Sequence, residues 1–279
     1  MTRIAISNIA WHPIEEADVA DELATLGIDA IELAPTKVFS DPVATTQAER
    51  DACQGFWAER GIEIVAFQSM LFGRPDLQLF DAERPEDVID YLTGFIELAG
   101  QLGARKLVFG SPRNRRVPAG MEDAEAWDVA VSAFSRLGGI AFDNGTVFCI
   151  EPNPVAYDCN FVVTAAEGAA LVREVAHPGF GLHLDTAAMA LAGDDSRVEI
   201  RRSADMLQHV HASAPHLEQL EDDLVDHAAA AAALGEIGYA GLVSIEMRPG
   251  AAGTAVRRVR QAVALCSRYY GDSSGGDGP

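Results

Sequence analysis

The chain has 279 residues and a formal net charge of −21, and this charge repels the phosphates of nucleic acids and anionic lipid surfaces. Its hydrophobic fraction of 48% is ample for a large core, but no run approaches the ~20 consecutive apolar residues of a membrane span. The first residues are too short in apolar length for a signal peptide, so we expect a cytoplasmic protein. The four cysteines show neither metal-binding nor disulfide spacing.

Short apolar runs alternate with amphipathic stretches along the chain. We predict strands at 3–9, 28–34, 62–68, 105–110, 146–151, 180–185, 207–212 and 241–247. We predict helices near 14–26, 45–60, 86–102, 122–142, 165–176, 195–204, 223–237 and 253–269. Because the strands are apolar throughout rather than alternating, they are typical of a parallel sheet that helices cover. Eight such units predict a single (β/α)8 TIM barrel over residues 1–271.

Glycine marks several junctions between a predicted helix and the next strand. These junction residues are Gly27, Gly61, Gly103 and Gly238, and each fits a helix C-cap. A doubly wound open sheet is the competing architecture, but no G-x-G-x-x-G follows the first strand, so it ranks second. The last residues, 272–279, are polar and glycine-rich and are predicted to be disordered.

Four apolar runs in the second half of the chain each end on a residue type that binds metal ions. These residues are Glu151, Asp185, His211 and Glu246. A buried strand should not end on an ionisable group unless that group is paired or binds something. Four strands of one barrel would direct these side chains at a common centre on the catalytic face. The set predicts one divalent ion, Mn²⁺, Mg²⁺, Co²⁺ or Zn²⁺.

A divalent ion at such a centre would bind two adjacent oxygens of a hydroxy-carbonyl compound and polarise its carbonyl. Removal of the neighbouring C–H proton then becomes easier, with Glu151 and Glu246 serving as acid and base. The pattern therefore predicts proton transfer through a metal-bound enediolate. The alternative is that these strand-end residues are structural and pair with arginines.

A second set of residues is predicted to bind the substrate. They are Glu32, Gln68, Arg113, Arg115, His183, His209 and His216. The two arginines lie in the loop after strand 4, where they would bind a phosphate or carboxylate group, or else only pair with surface carboxylates. His183 and His209 each precede a predicted ligand by two residues and so share its face of the strand. Each either orients that ligand or is a hydrogen-bonded core histidine.

These motifs resemble the xylose isomerase-like TIM-barrel superfamily, in its sugar phosphate isomerase/epimerase branch. The matching segments are 27–33, 150–153, 184–186, 209–213 and 238–246, and the last is the most specific. The resemblance implies a metal-dependent isomerase or epimerase of a small carbohydrate. It places the metal on Glu151, Asp185, His211 and Glu246, and implies that Glu151 and Glu246 handle the proton.

Two departures from the resemblance concern the substrate. Ketose epimerases of the superfamily usually carry histidine where this chain has Ala188, and glutamate and arginine soon after the strand-7 histidines, where residues 213–217 read Ser-Ala-Pro-His-Leu. Both changes delete polar substrate contacts, including at Leu217, and leave the metal ligands in place. We expect a small sugar, sugar phosphate, inosose or sugar acid as substrate, and a homodimer stays open. A dehydratase or lyase using the same site, and a non-catalytic barrel subunit, are the alternatives.

Overall fold

The computed structural model describes residues 2–221 and 224–271, so the predicted disordered tail at 272–279 lies outside the described residues. Eight parallel strands follow one another around a closed barrel, in which β1 also pairs with β8. The strands are β1 Arg3–Ser7, β2 Ala30–Leu33, β3 Glu63–Phe67, β4 Lys106–Phe109, β5 Val147–Ile150, β6 Phe180–Asp185, β7 Leu207–Ser213 and β8 Leu242–Glu246. The predicted (β/α)8 TIM barrel is confirmed, and every predicted strand overlaps an observed one.

Helices cover the outside of the barrel. They are α1 Glu16–Thr25, α2 Pro35–Val38, α3 Gln47–Ala58, α4 Pro85–Leu102, α5 Asp123–Asp143, α6 Ala165–Val175, α7 Thr186–Ala192, α8 Ser196–Arg202, α9 His227–Glu236 and α10 Ala255–Tyr270. The sequence did not predict α2 and α7, two short helices that follow β2 and β6. Among the helices of the described residues, none combines the length and apolarity that crossing a bilayer requires.

The helices end shortly before the junction glycines, as the sequence pattern predicts. Gly103 closes α4 with φ of 82°, in the left-handed region that favours glycine, and its N–H bonds back to the last turn of the helix. The other three predicted junction glycines also have positive φ. Each junction therefore reverses the chain sharply and returns it to the start of the next strand.

The strands are buried on both faces, as a parallel barrel requires. Leu182, Val210 and Val243 have no exposed surface and belong to the main hydrophobic core. The strand register sets the height of the polar residues at the carboxyl ends. Asp185 pairs with His211 across β6 and β7, and Ser213 pairs with Glu246 across β7 and β8. The ionisable strand ends therefore meet at one mouth of the barrel.

Candidate metal centre

The four predicted metal ligands converge at the carboxyl-terminal mouth of the barrel. One ligand atom from each of Glu151, Asp185, His211 and Glu246 lies within 4.8 Å of all the others. Ligand atoms that each lie about 2.0–2.2 Å from one ion are separated by at most ~4.4 Å. The spacing therefore fits a single divalent ion after small side-chain movements. His211 differs slightly from the prediction, because β7 continues two residues beyond it.

Asp185 is both the last residue of β6 and the N-cap of α7. Its Oδ1 accepts a hydrogen bond from the backbone N–H of Ala188 at 2.6 Å, and its Oδ2 accepts one from the hydroxyl of Ser213. Each carboxylate oxygen has a second lone pair, so both bonds leave the carboxylate able to bind a cation. The two bonds fix the orientation of Asp185 toward the centre.

His211 is held from below by a buried carboxylate. Its Nε2 lies 2.8 Å from Oε2 of Glu32, and the hydroxyl of Ser244 donates to the same oxygen at 2.6 Å. A ring that donates through Nε2–H leaves Nδ1 as the ligand atom, and this Nδ1 lies 3.3 Å from Oε2 of Glu246. Among the described residues, Nδ1 has no hydrogen-bond partner. In protein without metal this nitrogen lies beside the carboxylates, where a bound ion would replace its proton.

The carboxylates of the centre disfavour one another's ionisation. Burial and the charge of Glu246 raise the pKa of Glu151 to about 8. The same two causes raise the pKa of Asp185 to about 6. A divalent cation would remove this repulsion and favour the charged forms of both groups. The chemistry of the donor set therefore fits a bound divalent ion.

In protein without metal, His211 and the carboxylate beneath it, Glu32, form an ion pair. Burial alone would lower the pKa of His211, but Glu32 and Glu246 raise it well above its usual range. Burial alone would raise the pKa of Glu32, but the neighbouring His211 and His209 hold it well below its usual range. Glu32 thus stays ionised although its side chain has no exposed surface. It is suited to orient the histidines of β7.

Glu151 depends on two neighbours from the end of β4 and the loop after it. A Cβ added at Gly110 would collide with Oε2 of Glu151, so the glycine leaves room for the carboxylate. Arg115 is fully buried, and its Nη2 donates to the backbone carbonyl of Glu151 at 2.7 Å. Burial lowers the pKa of Arg115. The structure therefore places Arg115 behind the ligand strand.

Three supporting residues were missed by the sequence reasoning: Gly110, Ser213 and Ser244. Ser213 and Ser244 each lie two residues from a predicted ligand on the same strand, so the period of 2 could have placed them beside the centre. Gly110 gives no such signal. The need for a glycine there arises from the position of Glu151 on the neighbouring strand.

The remaining predicted residues lie around the centre at different depths. His183 is fully buried, and its Nε2 lies 3.9 Å from Oε1 of Glu151, too far for a hydrogen bond. His209 is also fully buried, with its Nε2 3.4 Å from Oε1 of Glu32. Burial lowers the pKa of both histidines. Both therefore lie beneath the centre.

A cleft opens above the carboxylates. Its inner cavity has a volume of ≈ 360 Å³ and is lined by Glu151 and Glu246 together with Gln68, Tyr157 and His216, among others. Gln68 is buried and donates to the hydroxyl of Ser7 at 2.6 Å. The backbone N–H of His216 donates to the hydroxyl of Tyr157 at 2.9 Å. Arg113 lies farther out, paired with Asp158 at 3.2 Å.

Comparisons with known proteins agree with this architecture. Residues 20–266 match the family of the xylose isomerase-like TIM barrel. The chain is 26% identical to L-ribulose 3-epimerase of Mesorhizobium japonicum over 255 residues, which cover 88% of this chain and 81% of the relative. It is 34% identical to ketose 3-epimerase of Arthrobacter globiformis over 128 residues, 45% of this chain and 44% of that relative.

A solved structure shows the same fold along almost the whole chain. The D-psicose 3-epimerase of Clostridium cellulolyticum H10, crystallised with D-tagatose, superposes with a TM-score of 0.78 at 18% identity. The superposition covers 97% of this chain and 100% of the other. At this level of identity the likeness concerns the fold.

Proposed function

Because the chain belongs to the xylose isomerase-like TIM barrel family, we propose that it is a divalent-metal-dependent epimerase or isomerase of a small carbohydrate. The observation that carries the proposal is the convergence of three carboxylates and one imidazole at the carboxyl-terminal mouth of the barrel. The activities named for the two curated relatives, L-ribulose 3-epimerase and ketose 3-epimerase, support the same class of reaction.

The ion would be held by the four converging side chains, Glu151, Asp185, His211 and Glu246. When bound, a divalent cation polarises a sugar carbonyl and favours loss of the proton on the adjacent carbon. Three carboxylates and one imidazole form a mostly oxygen set that suits Mn²⁺, Mg²⁺, Co²⁺ or Zn²⁺. Glu32 would orient His211 for this role. His209, which lies on the same strand as His211, would support Glu32.

Glu151 and Glu246 are the proposed acid and base. Both line the inner cavity, and their strands, β5 and β8, stand three positions apart around the barrel. They therefore approach a bound sugar from different sides. In an epimerisation one carboxylate takes the proton from one face of the carbon, and the other returns a proton to the opposite face.

Substrate contacts are proposed for residues that line the cleft. Gln68 and His216 border the inner cavity and are placed to hydrogen-bond sugar hydroxyls. Arg113 borders the outer part of the cleft. Arg115 and His183 are buried behind or below Glu151, so we propose that they position this carboxylate. A cytoplasmic location and a homodimer stay predictions from the sequence.

Hydrogen exchange in D₂O tests the proposal. Protein loaded with Mn²⁺ is incubated with a panel of ketoses, and deuterium incorporation is followed by NMR together with the products. We expect deuterium at the carbon next to the carbonyl, the appearance of an epimer or isomer, and loss of both after chelation. Loss of water with the exchange would instead indicate a lyase. Absence of exchange from every sugar, in protein that holds about one ion per chain, would contradict the proposal.

A further inference from the structure

The cleft above the metal centre is larger than its inner cavity. A second, outer cavity of ≈ 760 Å³ adjoins the inner cavity of ≈ 360 Å³. The two share six lining residues, namely Ser69, Ser111, Pro112, Tyr157, His216 and Leu217, so they form one continuous cleft. The inner cavity alone already lies in the roughly 300–1,000 Å³ range of small-molecule sites. A single sugar ring at the centre would therefore leave the outer cavity to another group.

The outer cavity presents an aromatic side chain to whatever occupies it. Phe72, in the loop between β3 and α4, lines this cavity and is 77% exposed. Tyr157 lies at the boundary between the two cavities. Aromatic rings offer flat apolar faces, and sugar rings offer apolar C–H surfaces that pack against such faces. The wall of the outer cavity is therefore suited to a second ring.

The charges of the outer cavity are paired. Arg74 donates three hydrogen bonds to Asp76, of 2.9, 3.3 and 2.7 Å, and Arg113 lies 3.2 Å from Asp158. A phosphate that approached either arginine would meet the carboxylate already paired with it, and the two anions would repel each other. Neutral hydroxyl groups, by contrast, can donate to the carboxylate and accept from the guanidinium of one pair. The Arg113–Asp158 pair is largely exposed, so its free donors and acceptors face the cleft and solvent.

We propose, building on the proposed function, that the outer cavity binds a neutral second ring. The substrate is then a keto-sugar that carries another ring through a glycosidic bond, rather than a free or phosphorylated ketose. The reacting carbons lie at the metal centre, while the attached ring packs on Phe72. Hydroxyl groups of the attached ring hydrogen-bond to the Arg113–Asp158 pair.

Matched sugars test the proposal with the metal-loaded protein. Fructose, fructose 6-phosphate, isomaltulose (glucose on O6 of fructose) and maltulose (glucose on O4) are compared by kcat/KM for deuterium exchange. We expect one or both disaccharides to exceed fructose and fructose 6-phosphate by about tenfold or more. Phe72→Ala should shrink that preference at least about fivefold. The control Phe142→Ala, an exposed residue of α5 near the start of β5 and hence at the opposite mouth, should keep it.

Binding separates failure of this proposal from failure of the proposed function. Calorimetry of the same proteins with both disaccharides should show tighter binding than with fructose, and Phe72→Ala should abolish the difference. Disaccharide binding that depends on Phe72, without exchange, would refute the epimerase and keep the second-ring site. Exchange from fructose with no preference for either disaccharide would refute the second-ring site and keep the epimerase. A preference for fructose 6-phosphate, or a sugar preference that is unchanged in Phe72→Ala, would also refute the second-ring site.

Discussion

The Nε2 atom of His211 lies 2.8 Å from the Oε2 atom of Glu32, and neither side chain is more than 1% exposed. The two residues are 179 positions apart in the chain and meet only because the barrel closes. This contact turns the other ring nitrogen of His211 toward the carboxylates of β5, β6 and β8. The geometry of the centre therefore depends on a residue of β2 that need not touch the ion.

Glu32→Gln should weaken metal binding. The substitution keeps the shape of the side chain but removes the charge that orients and polarises His211, and loss of such a partner typically costs 10–100-fold in metal affinity. Calorimetric titration with Mn²⁺ measures the change. Glu63→Gln is the matched control, because Glu63 is exposed at the amino end of β3. Equal affinity in both variants would mean that Glu32 has no orienting role.

Glu246→Gln and Glu151→Gln should each lower turnover by ~10² or more while the fold is retained, because an amide cannot exchange the proton. The assay is epimer formation with the metal-loaded protein, with far-UV circular dichroism as the check on folding. The surface variant Glu59→Gln should keep full turnover. Full activity in Glu246→Gln would show that this carboxylate is structural.

Asp185 should respond differently to two substitutions, since it caps α7 as well as facing the metal centre. Asp185→Asn removes the ligand charge but retains an oxygen for the cap, whereas Asp185→Ala removes both. We expect both variants, like His211→Ala, to retain less metal by elemental analysis. Only Asp185→Ala should also lose about 0.5–2 kcal/mol of unfolding free energy in urea. Parental metal content in all of these variants would show that the site is misplaced.

Metal binding should release protons near neutral pH. The raised pKa of Glu151, about 8, means that this carboxyl is mostly protonated at pH 7 and must lose its proton to bind a cation. Apparent affinity should therefore fall as pH drops from 8 to 6, and further below the pKa of about 6 of Asp185. Calorimetry in buffers of different ionisation enthalpy counts the protons. We expect roughly two at pH 7, one from Glu151 and one from His211, whose pKa is held well above its usual range.

The same raised pKa fixes the sign of a stability effect in protein without metal. A carboxyl whose pKa is higher in the folded chain stabilises the fold fully below its unfolded pKa, and that contribution is lost as pH rises through the folded value. For Glu151 the loss falls between its ordinary 4.5 and about 8. The Tm of Glu151→Gln minus the Tm of the parent should thus increase as the pH rises from 5 to 8. A difference that stays constant across this range would contradict the shift.

Substitutions of Arg115 and Arg113 should have different effects on stability, although the two residues lie in one loop. Arg115→Ala deletes a fully buried side chain and its hydrogen bond to the carbonyl of Glu151. We expect it to lower the unfolding free energy by roughly 2 kcal/mol or more. Arg113→Ala should leave the Tm nearly unchanged, because its exposed pair with Asp158 contributes little. Equal Tm values for the two variants would contradict the buried role of Arg115.

The barrel and its four ligands could be predicted because parallel strands are apolar along their length. An ionisable residue at the end of such a strand, as at Glu246, stands out in the sequence. The helix α7 was missed because it begins at Thr186, directly after β6, with no loop residue between the two elements. The inward orientation of the Arg115 side chain could not be predicted either. It depends on a hydrogen bond to the carbonyl of Glu151, which is 36 residues away in the chain.

The bond between Asp185 and residue 188 uses a peptide N–H and not a side chain. Every amino acid except proline supplies that donor, so the identity of residue 188 is decoupled from the integrity of the ligand beside it. Replacing Ala188 by any residue other than proline therefore leaves the bond to Asp185 available. Position 188 is for this reason a practical first position for a saturation library.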